Sequence, residues 1–171
     1  MFISCLYLQC FKNDYYKPIA IAKLSLVRLP YDFDYSLGKI TQQVSRLLGQ
    51  RLEEVFAQNG FSVSAEQWSI ISMLSRREHP TQKEIGTFLI MDKVSVNRTI
   101  DRLESAGWVK RVVSDKDRRS KTIALTPDGR RLYDSLSQYA EQVLEKALKE
   151  LNDQDTRQLF GLLEKVYSNL T

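Results

Sequence analysis

The apolar positions of this chain recur mainly at intervals of three and four residues, the spacing that places them on one face of an α-helix. Between Tyr35 and Asn59 they form one stripe that ends before a glycine, so the pattern predicts a long first helix. A second long stripe follows Thr126 for about 25 residues, or ~40 Å at the helical rise of about 1.5 Å per residue. Pro127 there takes the first helical position, where proline is preferred. A final helix is predicted to begin around residues 152–153.

Two shorter helices are predicted between the long ones, each beginning with a capping box. Ser64 and Gln67 have the required spacing, and the helix that they begin is expected to end near Arg77. A His-Pro pair then breaks the chain, and Thr81 with Glu84 forms a second capping box. The residues expected to point inward from these helices are Trp68, Ile71, Leu74, Ile85, Phe88 and Leu89.

The next predicted helix, from Asp92 to Ser105, has an apolar stripe and a polar face. Asp92 suits the N-cap, and the Ala-Gly pair after Ser105 suits the C-terminus because glycine adopts a left-handed backbone without steric cost. The stripe of Val96, Ile100 and Leu103 is expected to pack inward. Polar side chains off the stripe are able to meet phosphates or base edges in a major groove. They are Lys93, Ser95, Asn97, Arg98 and Thr99.

A β-hairpin with a charged tip is predicted directly after this helix. Residues 108–113 and 122–125 are β-prone, and the connecting residues 114–121 are too polar to be buried. Arginine at such a tip suits insertion into a narrow minor groove. In an isolated hairpin a charged tip usually just faces water, but the helix before it favours DNA contact. The cations of the tip are Lys116, Arg118, Arg119 and Lys121.

Positive charge is concentrated in the helix and hairpin. Residues 92–121 hold nine Lys or Arg against five Asp or Glu, a local net charge of +4 that equals the net charge of the whole chain. Residues 1–30 are also basic, whereas residues 31–91 and 122–171 are slightly acidic. This distribution fits nucleic-acid binding, although composition alone is shared by basic proteins with other functions.

The order of these motifs resembles the MarR family of bacterial transcriptional regulators. The resemblance covers about residues 31–171 and is carried by Gly-Trp-Val-x-Arg at 107–111, Asp-Arg-Arg-Ser-Lys at 117–121 and Leu-Thr-Pro-Asp-Gly at 125–129. It implies a mainly α fold with a small β-hairpin wing, a winged helix-turn-helix whose N- and C-terminal helices form a dimer. It also implies a pseudo-palindromic DNA operator, usually bound by a repressor that a small ligand or oxidation releases.

The resemblance places the helix from Asp92 in the major groove, with Arg98, Asn97 and Ser95 nearest the bases. Arg118 or Arg119 would reach the flanking minor groove, and Asp92 would orient a wing arginine. Two subunits would read half-sites ~10 base pairs apart. The start of the preceding helix would lie close to the phosphate backbone, although plain capping and solvation explain its polar residues equally well. The expected DNA-binding residues are Thr81, Gln82, Lys93, Ser95, Asn97, Arg98, Thr99, Lys116, Arg118, Arg119 and Lys121.

A ligand pocket is implied between the dimerisation helices and the DNA-binding lobe. An aromatic residue at helical spacing is more often part of a core than of a pocket, so core packing is the alternative for these positions. A small aromatic or anionic effector is the expected ligand. The residues expected to line the pocket are Trp68, Ile71, Arg76 and Tyr139.

The chain is expected to divide into an extension of unknown role (1–30), an N-terminal dimerisation helix (31–62), a winged helix-turn-helix lobe (63–126) and C-terminal dimerisation helices (127–171). Three long apolar stripes would leave a large apolar surface exposed in a monomer, which dimerisation would cover. The alternative is that the stripes pack on one another within one subunit.

Other function classes find less support in the sequence. It has one histidine and neither a metal-binding spacing nor a phosphate loop, so we expect no enzyme activity, metal or cofactor. Cys5 and Cys10 lie in the extension, where only Lys12 is close in sequence to lower a thiol pKa, which favours bystander thiols over redox sensing. With neither a signal peptide nor a membrane span recognisable, we expect a cytoplasmic protein. The alternatives to a ligand-released repressor are a ligand-independent activator or regulator, and a winged-helix protein-interaction module.

Overall fold

The computed structural model describes residues 32–33, 36–113 and 121–171. The part of the chain from Leu37 onward forms one compact unit of six helices and two strands. In chain order these are α1 (Leu37–Gln58), α2 (Ala65–Arg76), α3 (Gln82–Leu89), α4 (Lys93–Ser105), β1 (Val109–Val113), β2 (Lys121–Leu125), α5 (Pro127–Leu148) and α6 (Asp153–Ser168). This order confirms the predicted mainly α fold with a β-hairpin.

The helix starts follow the predicted capping residues. The side chains of Ser64 and Thr81 each accept a hydrogen bond from the third helical amide. In turn, the backbone amides of these two cap residues donate to the side chains of Gln67 and Glu84. Thr126 accepts from the amide of Gly129 at the start of α5, with proline at the first helical position. These side chains satisfy amides that have no partner within the helix, so the local sequence fixes where each helix begins.

The hairpin is joined to the helical lobe along its second strand. Strands β1 and β2 are antiparallel, with Val109 opposite Leu125 and Val113 opposite Lys121. On the other edge of β2, Thr122 forms an isolated antiparallel bridge with Thr81. The amide of Ile123 donates to the carbonyl of Pro80 at 2.8 Å. The hairpin base is therefore held against the start of α3.

The core lies where α2, α4, β2 and α5 meet. Its buried side chains come from α1 to α5 and from both strands, and they include all three residues of the predicted α4 stripe. The largest of them are Phe56, Ile70, Ile71, Ile85, Ile100, Leu103, Ile123 and Leu136. Phe88 was predicted to point inward, and this is wrong. It is 50% exposed, and the guanidinium of Arg77 covers its ring at 4.0 Å.

A close backbone contact fixes the passage from the hairpin into α5. The carbonyl of Trp108 accepts from the amide of Thr126 at 3.0 Å, and a Cβ at Gly129 would lie 1.9 Å from the same carbonyl oxygen. Only glycine permits this approach, because any side chain would overlap the backbone. The requirement explains the glycine of the Leu-Thr-Pro-Asp-Gly motif.

Two helices keep apolar faces uncovered within the subunit. On α1 the exposed residues include Leu37, Ile40, Val44 and Leu47, each at least 42% exposed. No residue of α6 is buried. Its exposed apolar side chains are Leu159, Phe160, Leu162, Leu163 and Tyr167. The alternative, that the three stripes pack on one another within one subunit, therefore holds for α1 and α5, which contact each other, but not for α6 among the described residues. Within the described residues, no helix is long and apolar enough to cross a membrane.

Candidate nucleic-acid interface

Helix α4 buries one side and presents the other to solvent beside the hairpin. Val96, Ile100 and Leu103 are at most 1% exposed and anchor it in the core. The opposite side forms a shallow groove that we call the outer face of α4. It is lined by Val94, Asn97, Arg98, Asp101, Arg102 and Ser105. A helix fixed this way, with an amide and two guanidinium groups on its open side, has the donors that read purine edges and phosphates.

Asp92 caps α4 and also holds the hydroxyl of Ser95. Its Oδ1 accepts from the amides of Val94 and Ser95 at 2.8 and 2.9 Å, and its Oδ2 accepts from the Ser95 hydroxyl at 2.7 Å. The hydrogen bond from the Ser95 side chain is the main cause that holds the pKa of Asp92 below its ordinary value. The proton of the Ser95 hydroxyl is therefore engaged within the protein and is not available to an acceptor on DNA.

Thr99 corrects the predicted polar face. It is 1% exposed, and its hydroxyl donates to Glu66 Oε2 on α2 at 3.3 Å. The apolar stripe of α4 is wider than three residues, because position 99 lies three residues after Val96 and four before Leu103. Thr99 belongs to the interface between α2 and α4 and does not reach the solvent where DNA would lie.

The start of α3 places further polar groups beside the start of α4. Thr81 is a cap whose hydroxyl donates to Glu84 Oε2 at 2.9 Å, so its side chain serves the helix. Gln82, Lys83, Lys93 and Asn97 border one depression between the two helices. Within the described residues, the amide nitrogen of Gln82 is the one buried side-chain polar atom without a hydrogen-bond partner. This donor is available to a group that enters the depression.

Arg111 ties the first strand of the wing to α4. Its guanidinium forks between Asp101, at 2.5 Å, and Glu104, and its backbone amide donates to Glu104 at 3.2 Å. The hydrogen bond with Asp101 is the main cause that raises the pKa of Arg111, so the charge is permanent. The pairing fixes the hairpin base relative to α4 and neutralises two carboxylates of that helix.

A cavity of about 760 Å³ is lined by side chains of α1, α2, α3 and α5. On one wall the rings of Trp68 and Tyr133 are stacked with centroids 5.6 Å apart and planes 11° from parallel. Arg76 and Arg77 lie at its rim, and Arg77 covers Phe88. The cavity thus combines flat aromatic walls with cationic groups.

Comparison with known proteins identifies the chain's relatives. The model of the MarR family matches residues 63–121, which span α2 to the start of β2. An uncharacterised HTH-type transcriptional regulator, YwoH of Bacillus subtilis, is 30% identical over 125 residues, covering 73% of this chain and 88% of that protein. The chain belongs to the MarR family. It is therefore a DNA-binding transcriptional regulator and not an enzyme.

Further MarR-family similarity extends well beyond residues 63–121. The regulator PecS of Dickeya dadantii is 29% identical over 75% of this chain and 78% of its own length. The crystal structure of a MarR/EmrR family transcriptional regulator from Acinetobacter sp. ADP1 covers 82% of this chain and 98% of its own, with 26% identity and a TM-score of 0.75.

In this MarR-family chain, the structure brings together part of the predicted DNA-binding set. Lys93 and Arg98 are exposed on or beside the outer face of α4, Asn97 is half-buried there, and Lys121 is exposed at the start of β2. Lys116, Arg118 and Arg119 lie outside the described residues, as do Cys5 and Cys10, so their roles remain predictions. Sequence reasoning missed Arg102 and Val94 on the outer face. Arg102 lies four residues after Arg98, a helical spacing that could have identified it. Val94 is apolar and offers no such signal in the sequence.

The structure brings two of the four residues predicted to line a ligand pocket to this cavity, and their role in binding stays a prediction. Trp68 and Arg76 line the cavity. Ile71 does not, because it is fully buried in the core. Tyr139 turns to Phe61, with ring centroids 6.2 Å apart, and is not among the lining residues. Its predicted place is taken by Tyr133, which lies one residue beyond the core residue Leu132 and so faces the edge of the stripe.

Proposed function

We propose that this regulator reads a pseudo-palindromic operator as a homodimer and represses until a small ligand releases it. The observation that carries the proposal is the outer face of α4, whose Asn97 and Arg98 side chains make no hydrogen bond to another described residue. Asparagine pairs with adenine and arginine with guanine in the major groove. Fixed on a helix anchored by buried side chains, these groups suit sequence reading.

The uncovered apolar faces support the homodimer. A monomer that exposes the α1 and α6 stripes together would present an apolar surface of the kind that marks an interface. A two-fold dimer can cover both at once, since every contact between one subunit and its partner is then made twice. It also sets two α4 helices at a fixed separation, which a palindromic operator requires.

The cavity supports release by a ligand. Helix α2 contributes Trp68 to the cavity wall, and two residues earlier its Glu66 accepts the hydrogen bond from Thr99 of α4. A molecule that displaces α2 would therefore also displace α4, and only a molecule that prefers the displaced state would weaken DNA binding. The stacked rings and the rim arginines favour a planar anion.

Selection of DNA by the full-length protein tests this function. Random duplexes bound by the protein are expected to converge on an inverted repeat, with affinity that falls steeply as salt rises. Aromatic carboxylates are then titrated into that complex, with a Trp68→Ala variant as control. Release from the wild type alone supports the ligand site, whereas convergence without any release favours a ligand-independent regulator. Failure to enrich any sequence contradicts the proposal.

A further inference from the structure

Two of the side chains predicted to read bases from α4 are already engaged within the protein. Thr99 is buried against Glu66, and the Ser95 hydroxyl donates to Asp92. Neither presents a free donor to a base edge. The outer face of α4 therefore reads DNA with a different set of side chains than the polar pattern indicates.

Val94 occupies the start of that face. It is 74% exposed and lines the same shallow groove as Asn97 and Arg98, which follow it by three and four residues. These spacings place the three side chains next to one another on the helix surface. Val94 is not part of the core, and a β-branched residue has lower helix propensity than most polar alternatives. Neither packing nor propensity explains an exposed valine in the first turn.

The chemistry of the major groove gives such a valine a role. Thymine is distinguished there by its C5 methyl group, which apolar side chains contact, whereas the other bases present polar edges. We propose that Val94 contacts the methyl group of one thymine in each half-site, beside bases that Asn97 and Arg98 read. This inference rests on the proposed DNA-binding function and adds a specificity-determining residue to it.

The test removes the methyl group from the DNA and the side chain from the protein. Each thymine of the selected operator is replaced in turn, in both half-sites together, by deoxyuridine, which differs only in lacking the methyl. Affinity is measured for the wild type, Val94→Ala and Val113→Ala. Val113 is a matched control, because it is also an exposed valine, at 55%, but lies on β1 away from the outer face. Both substitutions are at exposed positions, so both variants are expected to fold.

We expect one thymine position at which deoxyuridine weakens wild-type binding. The loss should be about fourfold for each methyl group, or ~15-fold when both half-sites are changed, because one buried methyl is lost at each. Val94→Ala is expected to show a clearly smaller difference between the thymine and deoxyuridine operators, because its side chain is shorter, while Val113→Ala keeps the wild-type difference. Equal sensitivity in the wild type and Val94→Ala, or no sensitive thymine at all, overturns the inference but leaves the regulator intact. If the wild type selects no sequence, both the inference and the proposed function fail.

Discussion

At the scale of single residues, each polar side chain of α4 is defined by what it already binds. Thr99 and Ser95 have engaged hydroxyls, whereas Asn97 and Arg98 are open to a partner outside the described residues. The sequence identified these four as polar but could not separate them. A threonine hydroxyl is small enough to be buried once it finds an acceptor, and that acceptor, Glu66, lies 33 residues away in the chain.

Asp92 makes the capping of α4 depend on pH. Its pKa is lowered in the folded state, so its stabilising effect is complete above the ordinary value of 3.8 and is lost as pH falls through the folded value. Asp92→Ala is therefore expected to lower the free energy of unfolding at pH 7 and to have a smaller effect at pH 3. Denaturant unfolding at the two pH values measures this difference.

Asn152 supplies the control, because it caps α6 through the same two backbone hydrogen bonds with a side chain that does not titrate. The cost of Asn152→Ala should be similar at both pH values. An Asp92→Ala cost that stays constant between pH 7 and pH 3 would show that the charge of Asp92 does not stabilise the helix.

At the scale of elements, the sequence predicted every helix and strand to within a few residues. Caps, glycines and apolar periodicity are local signals, and local signals set element boundaries. The connections between elements were not predicted. Nothing in the sequence pairs Arg111 with Asp101 and Glu104, and only the packing of β1 beside α4 shows that they form one ion-paired group.

Breaking this group is expected to weaken DNA binding. Arg111→Met removes the cation and leaves the carboxylates of Asp101 and Glu104 unpaired near the phosphates, so affinity should fall on the order of tenfold or more. Lys110→Met, at an exposed neighbour on the same strand, removes one cation without uncovering carboxylates and should have a smaller effect. Fluorescence anisotropy with labelled operator measures both.

A combined Arg111→Met, Asp101→Asn and Glu104→Gln variant separates repulsion from a loss of position. Partial recovery of affinity is expected, because the repulsive charges are gone. If Lys110→Met and Arg111→Met weaken binding equally, then Arg111 acts only as one more cation and does not position the wing.

Gly129→Ala tests the contact between the hairpin and α5. The added methyl would overlap the Trp108 carbonyl oxygen, so the free energy of unfolding is expected to fall by about 3 kcal/mol, or the protein to fail to fold. Gly38→Ala is the control, because a Cβ at Gly38 meets no atom within 4 Å. Thermal unfolding of the two variants compares them. Equal midpoints would mean that the backbone contact relaxes at little cost.

At the scale of the whole molecule, the uncovered faces of α1 and α6 make the subunit incomplete by itself. The sequence predicted the stripes, but periodicity alone does not say whether a stripe packs within the subunit or on a partner. Among the described residues, α1 packs on α5 within the subunit, whereas no residue of α6 is buried. That a second copy of the chain covers these faces remains our proposal.

A charge within the α6 face is expected to separate the dimer. Leu163 is 40% exposed in the subunit, and Leu163→Glu would place a carboxylate in the apolar interface. Sedimentation velocity should show a dimer for the wild type and a monomer for the variant, while Lys165→Glu, also on α6, should leave the dimer. A Leu163→Glu protein that remains dimeric would exclude α6 as the interface.

The central claim is that the outer face of α4 reads DNA sequence, and the most direct measurement is the ratio of affinities for the selected operator and a scrambled duplex. Arg98→Ala is expected to reduce this ratio about 5- to 150-fold, mainly through weaker operator binding. This factor corresponds to a loss of about 1–3 kcal/mol in binding free energy. Arg131→Ala, on α5 and paired with Asp128, should leave the ratio unchanged. An unchanged ratio for Arg98→Ala, or an equal loss on both duplexes, would contradict the claim.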